Sequence, residues 1–307
     1  MTTLIVTNDK SELVDFITNC IHLDIKLDIA VILSSYNESR ISNLMTLKYK
    51  HNIKLLFEPF ADLKTCELQK LIPDLDIYGV NRWELQKAFI PEIFPDYDNY
   101  LFIDANVELK SVKVKMNFIQ LCNNGKLYVV PEMDRALLHN NKYFNYALNF
   151  SLLNYTKYFG NKAATIFNIT RFPLLSNDIF AVSGKSRLWK IWQDNLTVAI
   201  LTNKVPEKGI DKISFNFSIY NDNISREYLP LTYNWLAKFL DYSNLHDEYC
   251  HINAPHESIM VMNYNDLTIE EKLDSVDGSF NINPTDIFAI KQSDIKSITT
   301  WTSKEKE

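Results

Sequence analysis

Glycine is scarce in this chain, with six in 307 residues. So few exclude collagen-like and linker-rich organisation and argue against folds that need several glycine-rich phosphate loops. Cysteine is sparse as well. Cys20, Cys66, Cys122 and Cys250 are scattered, with no CxxC or other metal-ligand spacing, and this pattern predicts reduced, buried thiols. Positive charge is not in excess. The formal net charge is −6, so the bulk electrostatic footprint of a nucleic-acid binder is missing. A local basic groove is still required if a diphosphate binds. No apolar run is long enough to cross a membrane. The N-terminus MTTLIVTNDK lacks a basic region followed by an apolar stretch, so the expected compartment is the cytoplasm. Oligomeric state leaves no mark that can be read.

What is present is the composition of an ordinary folded protein, 46% hydrophobic and 23% charged, in a chain long enough for one large α/β domain or two small ones. Short apolar runs alternate with amphipathic segments. Leu4–Thr7, Ile29–Leu33 and Ile53–Phe57 read as strands, separated by helices that end near Cys20 and Tyr49. This βαβαβ rhythm predicts a mostly parallel sheet with helices on its faces. Arg82–Ile93 reads as a helix ended by Pro91 and Pro95, and Tyr100–Ile103 as a fourth strand. Later strands are expected at Leu127–Val130, Asp178–Ser183 and Tyr249–Asn253. Helices are expected at about 134–158, 187–203 and 211–220. One domain over 1–265 is expected, followed by a polar extension over 266–307 whose last residues fray.

The segment FPDYDNYLFIDANVEL, Phe94–Leu109, is the most informative. An apolar strand delivers Asp104, Ala105 and Asn106 to its carboxyl end, where open parallel sheets bind ligands. Two oxygen-bearing side chains at that spacing can face one hard divalent cation, which would bridge the phosphates of a bound diphosphate. The competing reading is a strand-end acid that supports the following turn.

That segment resembles the Asp-x-Asp region of A-type glycosyltransferases, and the similarity is closest to glycosyltransferase family 8 and its bacterial and viral relatives. Four further stretches match in order: SNDIFAVSGKSRLWKIW, DKISFNFSIY, REYLPLTYNW and YCHINAPHESI. Together they cover roughly residues 1–260. The resemblance implies a nucleotide-sugar donor, most simply a UDP-sugar, a Mn2+ or Mg2+ ion, and hexose transfer to an acceptor hydroxyl with retention. Asp104 then contacts the metal or the donor ribose. Asn106 stands where a second, metal-binding Asp is usual; its amide can ligate a cation but lacks the charge. His251, and after it His256, are candidates for the late metal ligand; a structural histidine is the alternative. Arg82 and Lys87 are expected against the donor phosphates, unless they lie on a solvated helix face. Thr7, Asn8 and Asp9 are expected to contact base and ribose, unless they only cap the first helix.

Asn177 and Asp178 match the strand that faces the reacting sugars, with Asp178 where a small residue is usual. Asp211 matches an acid near the reacting carbon, and Lys212 replaces the Gln that follows it in the family. Helix capping is the alternative for Asp211. Ser183-Gly184-Lys185-Ser186 copies the end of a phosphate-binding loop, but Ile179 occupies the position of its first glycine, so an ordinary P-loop is rejected. The departures at Asn106, Asp178 and Lys212 keep a second reading open: a pseudo-glycosyltransferase that binds a sugar nucleotide or glycan without turnover. Asn106→Asp is expected to raise Mn2+ affinity in a direct titration. An unchanged titration would show that residue 106 does not touch the ion.

Overall fold

The computed structural model describes residues 2–8, 10–25, 27–33, 38–51, 54–59, 82–110, 125–132, 152–160, 166, 168–170, 172–203, 209–236, 240–243, 248–251 and 258–263. The expected extension over 266–307 and most of the expected helix at 134–158 lie outside them; residues 152–159 are helical.

The N-terminal half follows the predicted alternation. Strand β1 (Thr3–Asn8), helix α1 (Leu13–His22), β2 (Asp28–Leu33), α2 (Glu38–His51) and β3 (Leu55–Pro59) follow one another in sequence. β3, β2 and β1 pair in parallel, and β4 (Asn99–Ile103) joins the other edge of β1, also in parallel. After β4 the chain makes the short β5 (Val107–Leu109), then β6 (Leu127–Pro131) and the long β7 (Leu175–Ser183). β7 lies between β4 and β6 and runs antiparallel to both. β8 (Arg226–Tyr228) pairs in parallel with β6 and completes a sheet of order β3-β2-β1-β4-β7-β6-β8. The fold is therefore α/β with a central, mostly parallel sheet. A smaller sheet has the order β5-β12-β9, where β9 is Trp235–Leu236 and β12 is Val261–Asn263. Between them in sequence, β10 (Leu240–Ser243) and β11 (Glu248–His251) pair antiparallel.

The central strands are buried on both faces, which is why they read as unbroken apolar runs instead of alternating ones. All five residues of β4 are buried. Alternate residues feed two separate cores, as the two-residue period of a strand requires. Ile5, Val31, Leu101, Ile103, Ile179 and Ala181 face α1. That helix answers with Leu13, Phe16, Ile17 and Cys20, spaced to form one helical stripe. Cys20 is a reduced thiol, and burial pushes its pKa up to about 12. On the opposite face, Leu4, Val6, Tyr100, Phe102, Phe180 and Val182 meet the later helices.

The predicted helix at 82–93 is two short helices, α3 (Arg82–Gln86) and α4 (Ile90–Ile93), joined by a tighter 3-10 turn at Lys87–Phe89. Pro91 does not end a helix; it sits in the first turn of α4, where its missing N–H costs nothing. Farther along are α6 (Leu188–Asn203) and α7 (Ile210–Asn221), the helical residues 152–159 counting as α5. Trp192 of α6 is fully buried against Phe180 and Phe215, with ring centroids 6.0 and 4.7 Å away. Its indole N–H reaches Ser214 Oγ at 3.1 Å and the Asp211 carbonyl at 3.2 Å. The aromatic core thus fixes the first turn of α7.

The sequence Ser183-Gly184-Lys185-Ser186 turns from β7 into α6, beside Asp98 at the start of β4. Gly184 is required there for close packing: a Cβ would stand 2.9 Å from both the Tyr100 ring and the Tyr97 carbonyl. Gly184→Ala is expected to destabilise the fold by about 1–3 kcal/mol, the usual cost of overpacking. Chemical denaturation measures this, and a loss within error of zero would show that the contact relaxes freely.

Candidate functional site

β1 and β4 run in the same direction and end side by side at Asn8 and Ile103. β7 runs the other way, so its first residues, not its last, arrive at that same rim. The register pairs Ile103 with Ile179, and the Asp104 N–H donates to the Asp178 carbonyl at 2.8 Å. Two acids 74 positions apart in the chain thereby become neighbours.

Asp104 is fully buried. Its Oδ2 accepts from Asn8 Nδ2 at 2.9 Å and from Lys10 Nζ at 2.8 Å, and its Oδ1 accepts from the Asn106 N–H at 3.2 Å. Asn8 Oδ1 accepts the Ala105 N–H at 2.9 Å. Asn8 therefore clamps the turn after β4. It does not cap α1, which starts at Leu13 after Glu12. Burial pushes the Asp104 carboxyl above its ordinary pKa, opposed by Lys10 and Lys87 and reinforced by Asp178. For Asp178 burial also pushes upward, but Lys87, Lys212 and Lys10 outweigh it and hold that carboxyl below the usual value.

A second cluster lies next to the first. Lys87 is 2% exposed, which rules out a solvated helix face. Its ammonium lies 3.2 Å from Asp211 Oδ2, 3.4 Å from the Asn177 carbonyl and 4.9 Å from the Phe102 ring centroid. Burial pushes its pKa down, but Asp211, Asp178, Asp104 and Glu84 outweigh that and raise it, so it stays charged. Asn177 Nδ2 donates to the same Asp211 oxygen at 2.6 Å. Asp211 does not cap α7: Gly209 holds the N-cap in the left-handed region (φ 86°) and Asp211 follows in the first turn. Lys212 pairs with Glu132.

A chain of buried amides supports Asp178 from the other side. Asn263 Nδ2 reaches Asp178 Oδ2 at 3.4 Å and Asn234 Oδ1 at 2.9 Å, and Asn234 Nδ2 donates to Ser176 Oγ at 2.9 Å. Asn216 brackets the start of β7 through both the N–H and the carbonyl of Leu175.

The structure thus brings together Asn8, Lys87, Asp104, Ala105, Asn106, Asn177, Asp178 and Asp211. Thr7, next to last in β1, is fully buried, and its hydroxyl has no hydrogen-bond partner among the described residues. The same holds for the amide oxygen of Asn106. Buried polar atoms are almost always satisfied, so such orphans at a sheet rim suit a ligand. Asn106 also lines a cavity of about 360 Å3 between α1 and the turn, facing Glu12, Asp15, Asn19 and His22. Asp9 and His256 lie outside the described residues. Arg82 is placed in α3 and His251 in β11 by their backbones, and their side chains lie outside the description. Lys10, Ser176, Asn234 and Asn263 were not expected in the site. Lys10 carried one signal, its place two residues beyond the first strand's end. Asn234 carried another, its place in the matched stretch REYLPLTYNW, and Asn263 carried none.

A divalent cation is the cofactor implied by the resemblance, and the described residues do not suit one. A hard dication takes several oxygen ligands, carboxylates first. At the rim Asp104 has both oxygens already hydrogen-bonded and one of them held by an ammonium, residue 106 offers only a neutral amide, and Asp178 and Asp211 are faced by lysines. No group of three His, Cys, Asp or Glu side chains gathers to hold a metal among the described residues.

Comparison with known proteins supports the fold. No protein-family model matches the sequence, and no curated protein does. Among solved structures, the chain is similar to mouse xyloside xylosyltransferase 1 in its apo form. The TM-score is 0.54 at 10% identity, over 87% of this chain and 98% of that one. It also aligns with the glycosyltransferase GlyE of Streptococcus pneumoniae, with a TM-score of 0.43 at 11% identity over 76% of this chain and 47% of that one. The architecture is that of an A-type glycosyltransferase. Identity this low speaks to fold alone, and the similarity to family 8 rests on the sequence motifs.

Removing one partner of a buried ion pair strands the other charge. Lys87→Met is therefore expected to lower stability by about 3 kcal/mol or more in urea unfolding at neutral pH. A loss under about 1 kcal/mol, the scale of a surface pair, would show that Asp211 does not depend on it.

Proposed function

We propose that this protein is a glycosyltransferase that moves a hexose from a nucleoside diphosphate sugar, most simply a UDP-sugar, to an acceptor hydroxyl with retention of configuration. The observation that carries the reading is the rim itself. Asp104, Asp178 and Asp211 converge with Lys10, Lys87 and Lys212 where β1 and β4 end and β7 begins, in a sheet of A-type glycosyltransferase architecture. Ligands of open α/β sheets bind at that end of the parallel strands.

In this reading the bond between the anomeric carbon and the diphosphate oxygen breaks, and a bond to the acceptor oxygen forms on the same face. The acceptor proton passes to the departing diphosphate. Asp211, oriented by Asn177 and Lys87, faces positive charge developing on the sugar ring, and the lysines face negative charge developing on the diphosphate. Such fixed charges in a dry site need no rearrangement during the reaction, so positioning and electrostatics account for the catalysis. The orphaned oxygens of Thr7 and Asn106 await hydroxyl or N–H groups of the donor. Among the described residues no helix is long and apolar enough to cross a membrane.

Pseudo-enzyme behaviour is the second reading, favoured by the amide at residue 106 and by the pairing of Lys212 with Glu132. A panel of nucleotide sugars, scored by release of nucleoside diphosphate and by glycan product, separates the two. Turnover is expected for at least one donor, falling more than about a hundredfold in Asp104→Ala, on the scale of losing a key electrostatic group, with circular dichroism unchanged. Wild-type turnover in that variant would refute the site. Donor binding without turnover on any acceptor would favour the pseudo-enzyme.

A further inference from the structure

Resting on the glycosyltransferase reading above, the geometry points to Lys10 as the resident cation of the donor site: its ammonium, held by Asp104, takes the place of a divalent metal against the donor diphosphate. Lys10 follows β1 by two residues, on the loop into α1, and its Nζ lies 2.8 Å from Asp104 Oδ2. The Lys10 side chain is 24% exposed while the Asp104 side chain is 1% exposed. The pair therefore bridges from the interior to the crevice, with the positive end nearer solvent. A dication bound to Asp104 has to displace or repel this ammonium, and it finds no second carboxylate two residues on, because residue 106 is Asn.

Charge balance supports the same assignment. A metal-bearing rim needs surplus negative charge before the ion enters. Here, among the described residues, Asp104, Asp211 and Glu132 are each paired with one ammonium, from Lys10, Lys87 and Lys212 respectively, which leaves Asp178 as the one acid in surplus. Lys87 and Lys212 also act on Asp178, so the acids of the rim are met by ammonium groups from three different elements. Asn106 then has a consistent role. Its neutral amide adds no second carboxylate next to Asp104, whereas an Asp there would compete with a phosphate for the ammonium. Lysine is suited to the task as a compact point charge with three donors. Asn8 contributes by fixing Asp104, and so indirectly the ammonium, through its bonds to Asp104 Oδ2 and the Ala105 N–H.

The test is calorimetric titration of the full chain with UDP and with GDP, in excess chelator and separately in Mn2+. For at least one nucleotide, affinity in chelator is expected within about threefold of that in Mn2+. Lys10→Met is expected to weaken binding in chelator by at least about tenfold, the loss of one charge-assisted contact. Lys10→Arg is expected to stay near wild type, because charge and reach are kept. In Lys10→Met combined with Asn106→Asp, binding is expected to become Mn2+-dependent. If the Lys10→Met variants fail to fold, as read by thermal melting, the wild-type comparison and Lys10→Arg still decide. Wild-type binding that requires Mn2+ overturns the role of Lys10 and leaves the glycosyltransferase reading standing. Failure of both nucleotides to bind under either condition overturns both.

Discussion

A lysine ammonium buried beneath a β-sheet is tolerated only if negative charge is built around it. Lys87 imposes that condition here. Isolated in the interior it would lose its proton or unfold the chain, since burying a lone charge costs many times the net stability of a domain. The fold meets the demand with Asp211 in direct contact and Asp178 and Asp104 close enough to hold the charge. Each acid is in turn fixed by amides: Asn177 on Asp211, Asn8 on Asp104, Asn263 on Asp178. The polar rim is therefore a set of mutually dependent charges in which no member is a decoration. Hydrogen-bonded charges of this kind hold one another in place, which suits the group-transfer site proposed above.

The sheet's one reversal makes this possible. Had β7 run parallel to β4, Asn177 and Asp178 would have been carried to the far end, where Gly184 now packs against Tyr100. Antiparallel placement brings the beginning of one strand to the end of another. α7 follows the same logic. Its first turn is pinned by Trp192 and presents Asp211 to the rim, while its body packs Phe215 and Phe217 into the aromatic core. Apolar packing thus sets the positions of the charged groups, and burial then raises the strength of every interaction among them. The outcome is a fixed electrostatic landscape in which the loop lysine, Lys10, is the partly exposed partner of the buried Asp104.

Much of this was legible in the residues. Unbroken apolar runs at Leu4–Thr7 and Tyr100–Ile103 announce strands covered on both faces, and the amphipathic stretch between the first two strands announces a helix. These are local consequences of side-chain period and survive any context. Asp104 at the end of its strand is legible for the same reason. The break in the helix at Lys87–Phe89 was not, because Pro91 reads equally well as a terminator and as a first-turn residue. For Asn8 a helix cap was the alternative to a nucleotide contact, since Asn before a helix usually caps it; here the helix starts five residues later and the amide reaches across to the end of β4 instead.

By itself the sequence determined the strands β1, β2, β3, β4, β6, β7 and β11 but not the short β5, β8, β9, β10 and β12, and it determined which end of β4 carries an acid and that residue 106 lacks a carboxylate. Periodicity and residue chemistry are local properties, written out along the chain. Only the tertiary structure decided that β7 turns back, that Lys87 is enclosed instead of solvated, and that Lys10 pairs with Asp104. Each of those depends on which groups distant in sequence share one low-dielectric space. The sign and strength of a charge's effect are set by that company, and no spacing in the chain records it.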